Sequence, residues 1–323
     1  MRGTTSVVRR CLKWIVLTAL VLRVGFSQTL EYSDDAFRNL IVHYSGVTSS
    51  PLDLSTIEHV RVMSSSDRYV AIEIEMEHVA DVLRVLESDT SIQSIEEDSI
   101  WTEQGILEEV IEDRPRNLRK LQTEHVNYGI AMVQGDLVDV GQYPVTVCIV
   151  DTGVASGHPD LNFSLLSGAS RNSNFDNSFL QWNKDVRGHG THTTGILNAI
   201  AHNGVGIKSG MGRIPLFITR GLNDGGKAKE SDILSALDQC ENAGAKIVSL
   251  SLAGPFMSTA MTTKIEHLHA KGTLIIAASG NDGEYTQTFP ASHSAVVSVG
   301  AVTPEGQRWA DSNYGPWIEL VGP

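Results

Sequence analysis

The chain has 323 residues, of which 41% are hydrophobic and 20% charged. This apolar content is enough for one large folded domain and a smaller one. The formal net charge is −13, and the segment from Glu31 to Asp113 contains 20 acidic residues but only 4 basic ones. Because nucleic-acid binding requires a basic face, this charge distribution argues against a nucleic-acid partner.

The N-terminus combines basic residues with a short apolar segment. Arginines and Lys13 precede the apolar run of residues 14–22, and a small-x-small tripeptide follows at residues 25–27. This pattern predicts a secretory signal peptide over residues 1–27. The run is shorter than the ~20 residues that span a bilayer. We therefore expect a secreted or secretory-lumen protein with no stable membrane insertion after the signal is removed.

Residues 38–103 alternate between strand and helix patterns. One helical pattern places Val79, Val82, Leu83 and Leu86 on a single face. A weaker helix is predicted over residues 55–60, and strands are predicted over residues 38–44, 69–76 and 91–97. The resulting order, β-α-β-α-β, favours a small ferredoxin-like α+β domain. An unrelated acidic binding module is the alternative.

Residues 104–125 separate this region from the rest of the chain. The stretch is acidic at first and then basic, and it contains a proline. A polar segment of this kind between two apolar-patterned regions predicts an exposed linker that is open to proteolytic processing.

From Val126 onward the pattern changes to buried strands that alternate with helices. The strands are almost continuously apolar, which indicates a parallel sheet covered on both faces. Strands are predicted over residues 145–150, 214–220, 245–252, 273–279 and 295–301, and helices over residues 191–202, 231–243 and 259–270. We predict a doubly wound α/β domain over residues 126–323.

Three cysteines occur in the sequence, and Cys11 falls within the predicted signal peptide. The remaining two, Cys148 and Cys240, do not form a disulfide framework, and we expect two buried thiols that pack as small apolar residues.

Polar residues follow three of the predicted strands. Asp151, Ser251 and Asn281 each come at the carboxyl end of a strand, where the sites of open α/β sheets collect. Taken singly, an Asp or Asn at such a place is usually a turn residue. The three together predict a site at one edge of the sheet.

Two histidines, His189 and His192, lie three residues apart in the stretch R-G-H-G-T-H-T-T-G-I. A zinc pair on one helical face is conceivable, but a metalloprotease motif would place a Glu beside the first His, and no such Glu is present. Gly190 and the small residues after it let the helix start press against a neighbouring backbone. This arrangement favours His189 as a positioned base, with a zinc hydrolase as the weaker alternative.

Four motifs occur in a characteristic order: I-V-D-T-G-V-x-x-x-H-P-D-L, G-H-G-T-H-x-x-G-I, S-L-A-G-P and A-S-G-N-D-G. In order and approximate spacing they resemble the subtilisin-like serine protease family, the subtilases. The acidic region of residues 38–103 resembles the inhibitory propeptide of the same family. The resemblance therefore implies a secreted serine endopeptidase made as a proenzyme, with peptides or proteins as substrates and its own propeptide as an intramolecular inhibitor.

The resemblance assigns roles residue by residue. It makes Asp151 the triad carboxylate, His189 the general base, and Asn281 the donor to the oxyanion. It makes Ser251, Leu252, Ala253 and Gly254 the strand that pairs with substrate. Ala253 stands where the family usually has Gly, which affects pocket depth and the approach of the substrate backbone.

The resemblance requires no cofactor for the chemistry, but it implies a structural calcium ion. Asp160 in H-P-D-L and the loop H-N-G-V-G at residues 202–206 would supply the hard oxygen donors that Ca²⁺ prefers. The alternative for Asp160 is a helix cap.

The family nucleophile lies in a G-T-S-M motif beyond an A-P-G turn. Here the chain reads W-I-E-L-V-G-P up to Pro323, and no G-T-S motif occurs within the 323 residues. We expect the serine in sequence beyond Pro323, so that the 323 residues alone are an incomplete and inactive peptidase domain. The alternative is a catalytically inactive relative that binds peptides or acts as an inhibitor.

Overall fold

The computed structural model describes residues 36–45, 52–104, 124–138, 145–209 and 214–323. The chain divides into two compact units: residues up to Asp98 with Ser258–Ala260, and Ser99–Met257 with Met261–Pro323. The predicted signal peptide of residues 1–27 and linker residues 105–123 lie outside the described residues. Within those residues, no helix combines the length and the apolar character needed to cross a bilayer.

The first unit is built on a four-stranded antiparallel sheet with the strand order β2-β3-β1-β4. Helix α1, Val79–Ser88, buries the four apolar residues that the sequence pattern had placed on one face. The strands are β1 (Phe37–Tyr44), β2 (Val60–Ser65), β3 (Tyr69–Glu75) and β4 (Ile92–Glu97). This strand order is that of the ferredoxin-like motif.

The prediction of a helix over residues 55–60 is wrong. Only a single 3₁₀ turn forms, Leu54–Thr56, with the Asp53 carboxylate accepting a hydrogen bond from the Ser55 N–H. Strand β2 begins at Val60, and the sequence pattern missed it because the strand is half-exposed and lacks strict alternation.

The second unit contains a seven-stranded sheet with the order β18-β17-β16-β14-β7-β12-β8. All neighbouring strands run parallel, so the predicted α/β class with a parallel sheet is confirmed. Its strands are β7 (Val147–Asp151), β8 (Leu166–Ala169), β12 (Leu216–Arg220), β14 (Ile247–Leu250), β16 (Leu274–Ala278), β17 (Val297–Ala301) and β18 (Leu320–Gly322).

Four helices are interspersed with these strands between residues 128 and 270. They are α2 (Tyr128–Met132), α3 (His189–Asn198), α4 (Glu230–Asn242) and α5 (Thr259–Ala270). The last two coincide closely with the prediction. Gly244 and Gly272, which follow them, have φ angles of 71° and 78°, the left-handed conformation that ends a helix.

Short strands complete the second unit, and three of them form an antiparallel sheet with the order β13-β5-β15. These are β5 (Ile100–Glu103), β13 (Lys227–Lys229) and β15 (Leu252–Ala253). Residues 99–103, expected to belong to the small acidic domain, therefore pair within the larger unit. The remaining short strands are β6 (His125–Val126), β9 (Arg171–Asn172), β10 (Phe179–Leu180) and β11 (Ile207–Lys208).

The expectation of two free thiols is also wrong. Cys148 on β7 and Cys240 on α4 form a disulfide with a Cα–Cα distance of 5.6 Å. Both residues are fully buried, as expected. The pairing was invisible in the sequence because 92 residues separate the two cysteines, and only the packing of α4 on β7 brings them together.

Candidate active site

A carboxylate and an imidazole meet at the carboxyl edge of the parallel sheet. Asp151 is the last residue of β7 and His189 the first residue of α3. His189 Nδ1 lies 2.7 Å from Asp151 Oδ1, and the two residues are 4% and 0% exposed. The structure therefore brings together the two residues expected to act as a base and its partner.

Small residues make this contact possible. A Cβ atom on Gly190 would lie 2.1 Å from the carbonyl oxygen of Gly153, so only glycine lets α3 start this close to the loop after β7. Gly188, at the N-cap of the helix, has a φ angle of 90°, which side chains other than glycine rarely adopt. The predicted close contact between the start of the helix and a neighbouring backbone is confirmed at Gly190.

The sequence pattern missed Asp185, which fastens the start of α3. Its Oδ1 accepts hydrogen bonds from the Thr152 hydroxyl and the Gly188 N–H, and its Oδ2 accepts from the backbone and hydroxyl of Thr191. Because Thr152 follows Asp151 directly, Asp185 ties the end of β7 to the first turn of α3. Asp185 lies three residues before the N-cap position, which Gly188 occupies, so the usual capping pattern does not identify it.

Asp151 is itself held in place by local donors. Its Oδ1 accepts a 2.7 Å hydrogen bond from the Thr152 N–H, and Oδ2 lies 3.3 Å from the hydroxyl of Thr193. These contacts fix the carboxylate so that it faces Nδ1 of His189.

The surroundings of His189 favour its charged form. Burial of the ring lowers its pKa, but the hydrogen bond and charge of Asp151 outweigh this. The carbonyl of Gln104 and the charge of Glu103 add to the increase, and the pKa of His189 rises from 6.5 to about 9. The same geometry explains the direction: Nδ1 faces a carboxylate and Nε2 lies 3.0 Å from the Gln104 carbonyl, so both ring nitrogens must donate.

Two of the four residues expected to pair with substrate, Leu252 and Ala253, already pair with β5. Leu252 faces Glu103, and Ala253 faces Thr102, in antiparallel register. The carbonyl oxygen of Ser251 accepts a 2.8 Å hydrogen bond from the N–H of Gln104. The alanine at position 253 therefore does not prevent an extended chain from approaching this strand.

Gly254 has a different reason to be glycine. A Cβ atom there would lie 2.5 Å from the indole ring of Trp101, which is fully buried and donates its Nε1–H to the Ser99 hydroxyl.

The expected oxyanion donor, Asn281, follows β16 in the G-N-D-G loop, directly after Gly280 with its φ angle of 100°. It therefore lies at the same sheet edge as Asp151 and Ser251.

The zinc alternative gains no ligand set from the fold. His192 is exposed, whereas Nδ1 of His189 is engaged with Asp151. Among the described residues, the only group of three or more His, Cys, Asp or Glu side chains close enough together to share a metal ion is His59, Glu75 and His78, in the first unit.

Asp160 is buried and faces the loop that the sequence had singled out. Its Oδ1 accepts a hydrogen bond from the Asn203 amide and its Oδ2 from the Ile207 N–H, each 2.8 Å long. Glu124 reaches the same loop, where its Oε1 accepts from the His202 N–H. A Cβ atom at Gly206 would lie 2.1 Å from Asp160 Oδ2, so the loop closes tightly over the carboxylate.

The carboxylates of Asp160 and Glu124 are oxygen ligands of the kind that Ca²⁺ prefers, but both oxygens of Asp160 already accept hydrogen bonds from N–H groups. The calcium site therefore stays a prediction. Asp160 does not cap a helix in these contacts. Glu124 was not singled out from the sequence because it lies within the predicted linker of residues 104–125, far from Asp160 along the chain.

Residues 143–323 match the model of the subtilase family, Peptidase_S8. Subtilisin DY of Bacillus licheniformis is 33% identical over 61% of this chain and 72% of its own length. An alkaline protease of Alkalihalobacillus alcalophilus is 26% identical over 96% of this chain and 79% of its own length.

A solved structure shows the same fold. The psychrophilic subtilisin-like protease Apa1 from the Antarctic psychrotroph Pseudoalteromonas sp. AS-11 aligns with a TM-score of 0.56 and 31% identity. The alignment covers 62% of this chain and 46% of that one, so the present sequence spans about half the length of that relative. With the family match over residues 143–323 and the similarity to subtilisin DY, the chain belongs to the subtilase family of serine proteases.

Proposed function

We propose that this chain is the precursor of a secreted serine endopeptidase that hydrolyses peptide bonds through an acyl-enzyme. The observation that carries the proposal is the 2.7 Å contact between His189 Nδ1 and Asp151 Oδ1 at the carboxyl edge of the sheet. Asp151 holds the imidazole so that Nε2 faces the substrate cleft. There, Nε2 accepts the proton of a serine hydroxyl and later passes it to the leaving amine.

The serine is proposed to lie in sequence beyond Pro323, in the G-T-S motif that the family resemblance leads us to expect. Asn281 is proposed to donate its side-chain amide to the oxyanion of the tetrahedral intermediate, a contact worth about 3 to 4 kcal/mol of transition-state stabilisation in enzymes of this type.

The first unit and the segment of residues 99–104, which we call the tail segment, are proposed to inhibit the enzyme before processing. The tail segment lies between β13 and β15 as an added antiparallel strand, the way an extended peptide substrate binds a sheet edge. The carbonyl of Gln104 lies 3.0 Å from His189 Nε2. First processing is therefore proposed at the bond after Gln104, at the start of the segment of residues 104–125 that the sequence predicts to be open to processing.

The tail segment inhibits in two ways under this proposal. It fills the strand site that a substrate would use, and its Gln104 carbonyl and Glu103 carboxylate raise the pKa of His189. A protonated His189 cannot accept a proton from serine. Departure of the segment both opens the cleft and returns the imidazole towards its neutral, basic form.

Two further features support an extracellular localisation. A disulfide such as Cys148–Cys240 persists in oxidising compartments. The proposed calcium site at Asp160 suits an environment rich in that ion, where Glu124, Asn203 and loop carbonyls would complete the oxygen ligands. Calcium would stabilise the loop and takes no part in the chemistry.

The test uses the protein expressed together with the reading frame that follows Pro323. Hydrolysis of a fluorescently labelled, unfolded protein is compared for the wild type, His189→Ala and His192→Gln. We expect His189→Ala to lose at least about a thousandfold in activity, while His192→Gln, an exposed position on the same helix, retains it. Absence of hydrolysis by the wild type would favour the inactive, peptide-binding relative, and full activity of His189→Ala would overturn the proposed mechanism.

A further inference from the structure

The tail segment identifies the residue that a substrate would place at each position of the cleft. Gln104 donates its N–H to the Ser251 carbonyl and presents its own carbonyl to His189. Gln104 is therefore the residue before the bond to be cut. Counting back along the extended strand, Glu103 is the second residue before that bond, and its N–H donates to the Gly226 carbonyl at 3.0 Å.

Glu103 forms an ion pair with Arg187, in the turn that precedes His189. Its Oε1 accepts a 2.7 Å hydrogen bond from Nε of Arg187, and the two side chains are 10% and 31% exposed. Arg187 lies two residues before His189, in the turn that Asp185 and Gly188 hold in place. The backbone that carries Arg187 is thus held next to His189 by contacts that do not involve the tail segment.

The surroundings of Glu103 leave Arg187 as its counter-charge. Oε2 of Glu103 is buried and has no hydrogen-bond partner among the described residues. It lies over Gly226, where a Cβ atom would be 2.7 Å away. Because burying a carboxylate is costly without an opposite charge, the pairing with Arg187 decides whether a charged side chain can occupy this position.

We propose that Arg187 is a specificity-determining residue that selects an acidic side chain at the second position before the scissile bond. The inference rests on the proposed function and extends it to a substrate class: peptides with Glu or Asp at that position. A lysine or arginine there would meet a guanidinium of the same charge in a half-buried site, and rejection of such substrates follows from the same contact.

The first experiment needs no catalysis and uses the 323-residue chain. Hydrogen exchange of the Glu103 and Gln104 amides is measured for the wild type, Arg187→Gln, Arg187→Glu and the swap Glu103→Arg/Arg187→Glu. Both single variants should lose about tenfold in amide protection. This is the loss expected for a partly buried ion pair, which stabilises more than an exposed pair and less than a fully buried one. The swap should recover the protection. Unchanged amide protection in the β7 residues Cys148–Val150 shows that each variant is folded.

The second experiment measures kcat/KM for cleavage after Gln in peptides Trp-Thr-X-Gln-Gly-Ile-Leu, where X is Glu, Gln or Lys and the other residues are those of this chain. It uses the protein that carries the continuation beyond Pro323. We expect Glu to exceed Gln by about tenfold and Lys by more, and Arg187→Glu to reverse the order. Lys184→Glu, an exposed change of the same charge in the same loop, should leave the order unchanged.

The outcomes separate the two proposals. Hydrolysis without preference at X, or equal amide protection in Arg187→Glu and wild type, would overturn the role of Arg187 while leaving the protease intact. Absence of hydrolysis for every peptide would overturn the proposed function. In that case the exchange experiment still supports or rejects the Arg187 contact.

Discussion

The carbonyl oxygen of Gln104 lies 3.0 Å from Nε2 of His189, while the other ring nitrogen of His189 faces Asp151. A neutral imidazole has one N–H and can donate only one of these two hydrogen bonds. The pair therefore holds the ring as an imidazolium, which is the acid form of a residue proposed to act as a base. Under the proposed function, inhibition and protonation are two results of this one contact.

The pKa of His189 should consequently depend on the tail segment. In the intact chain we expect titration near the value of about 9, and Glu103→Gln should lower the pKa because it removes a nearby negative charge. Nuclear magnetic resonance titration of the histidine ring signals measures both values. A pKa that is the same in wild type and Glu103→Gln would contradict the electrostatic link.

The same shift predicts how stability varies with pH. The pKa of His189 is raised in the folded chain from 6.5 to about 9, so its contribution to the free energy of unfolding is complete below about pH 6.5. The contribution is lost as the pH rises through the folded value. Urea unfolding at pH 6, 8 and 10 measures this loss, and His189→Gln should remove that part of the pH dependence.

Gly190 gives a sharp test of how the base is positioned. Gly190→Ala would place a Cβ atom 2.1 Å from the Gly153 carbonyl oxygen, so α3 must shift, and overpacking of this kind costs about 1 to 3 kcal/mol. Gly195→Ala in the same helix meets nothing closer than 3.9 Å and should be neutral or stabilising. Urea unfolding of both variants and of the wild type measures the difference. Equal stability of the two variants would show that the close approach at Gly190 is unimportant.

The disulfide should contribute substantially to stability. Cys148 and Cys240 close a loop with a sequence separation of 92, for which chain entropy predicts about 4 to 5 kcal/mol. We expect the double variant Cys148→Ala/Cys240→Ala to lose about this free energy of unfolding. A reductant should destabilise the wild type and leave the double variant unaffected. Insensitivity of the wild type to reductant, at denaturant concentrations where it unfolds, would contradict the bond.

Calcium removal tests the proposed site at Asp160. At a free calcium concentration of about 100 times Kd, binding to the folded state alone adds about 2.7 kcal/mol. EDTA should therefore lower the thermal unfolding midpoint, calcium should restore it, and Asp160→Asn should respond to neither. An equal EDTA effect on the wild type and Asp160→Asn would place the ion elsewhere.

Local patterns predicted the parts of the structure that depend on neighbours along the chain. The 3.6-residue period placed Val79, Val82, Leu83 and Leu86 on one buried helical face, and apolar runs located five strands of the parallel sheet. Strand β2 escaped because half-exposed strands carry little alternation. Gly190 was anticipated because small residues beside a histidine point to a close backbone contact.

What the sequence could not predict are contacts between residues far apart in the chain. The Arg187–Glu103 ion pair joins residues 84 positions apart, and the Cys148–Cys240 bond joins residues 92 apart. Neither residue of such a pair has a local pattern that names its partner. The tail segment is similar: the sequence assigns residues 99–103 to the acidic domain, and only the pairing of β5 with β13 and β15 places them in the larger unit.

The central claim, that Asp151 and His189 activate a serine, is tested most directly by labelling with a serine-directed fluorophosphonate. The protein that carries the continuation beyond Pro323 should be labelled at a single serine after the tail segment is cleaved. Asp151→Asn should slow labelling by about ten-thousandfold, and His189→Ala should abolish it. No labelling of the wild type, or labelling at an undiminished rate in either variant, would contradict the account.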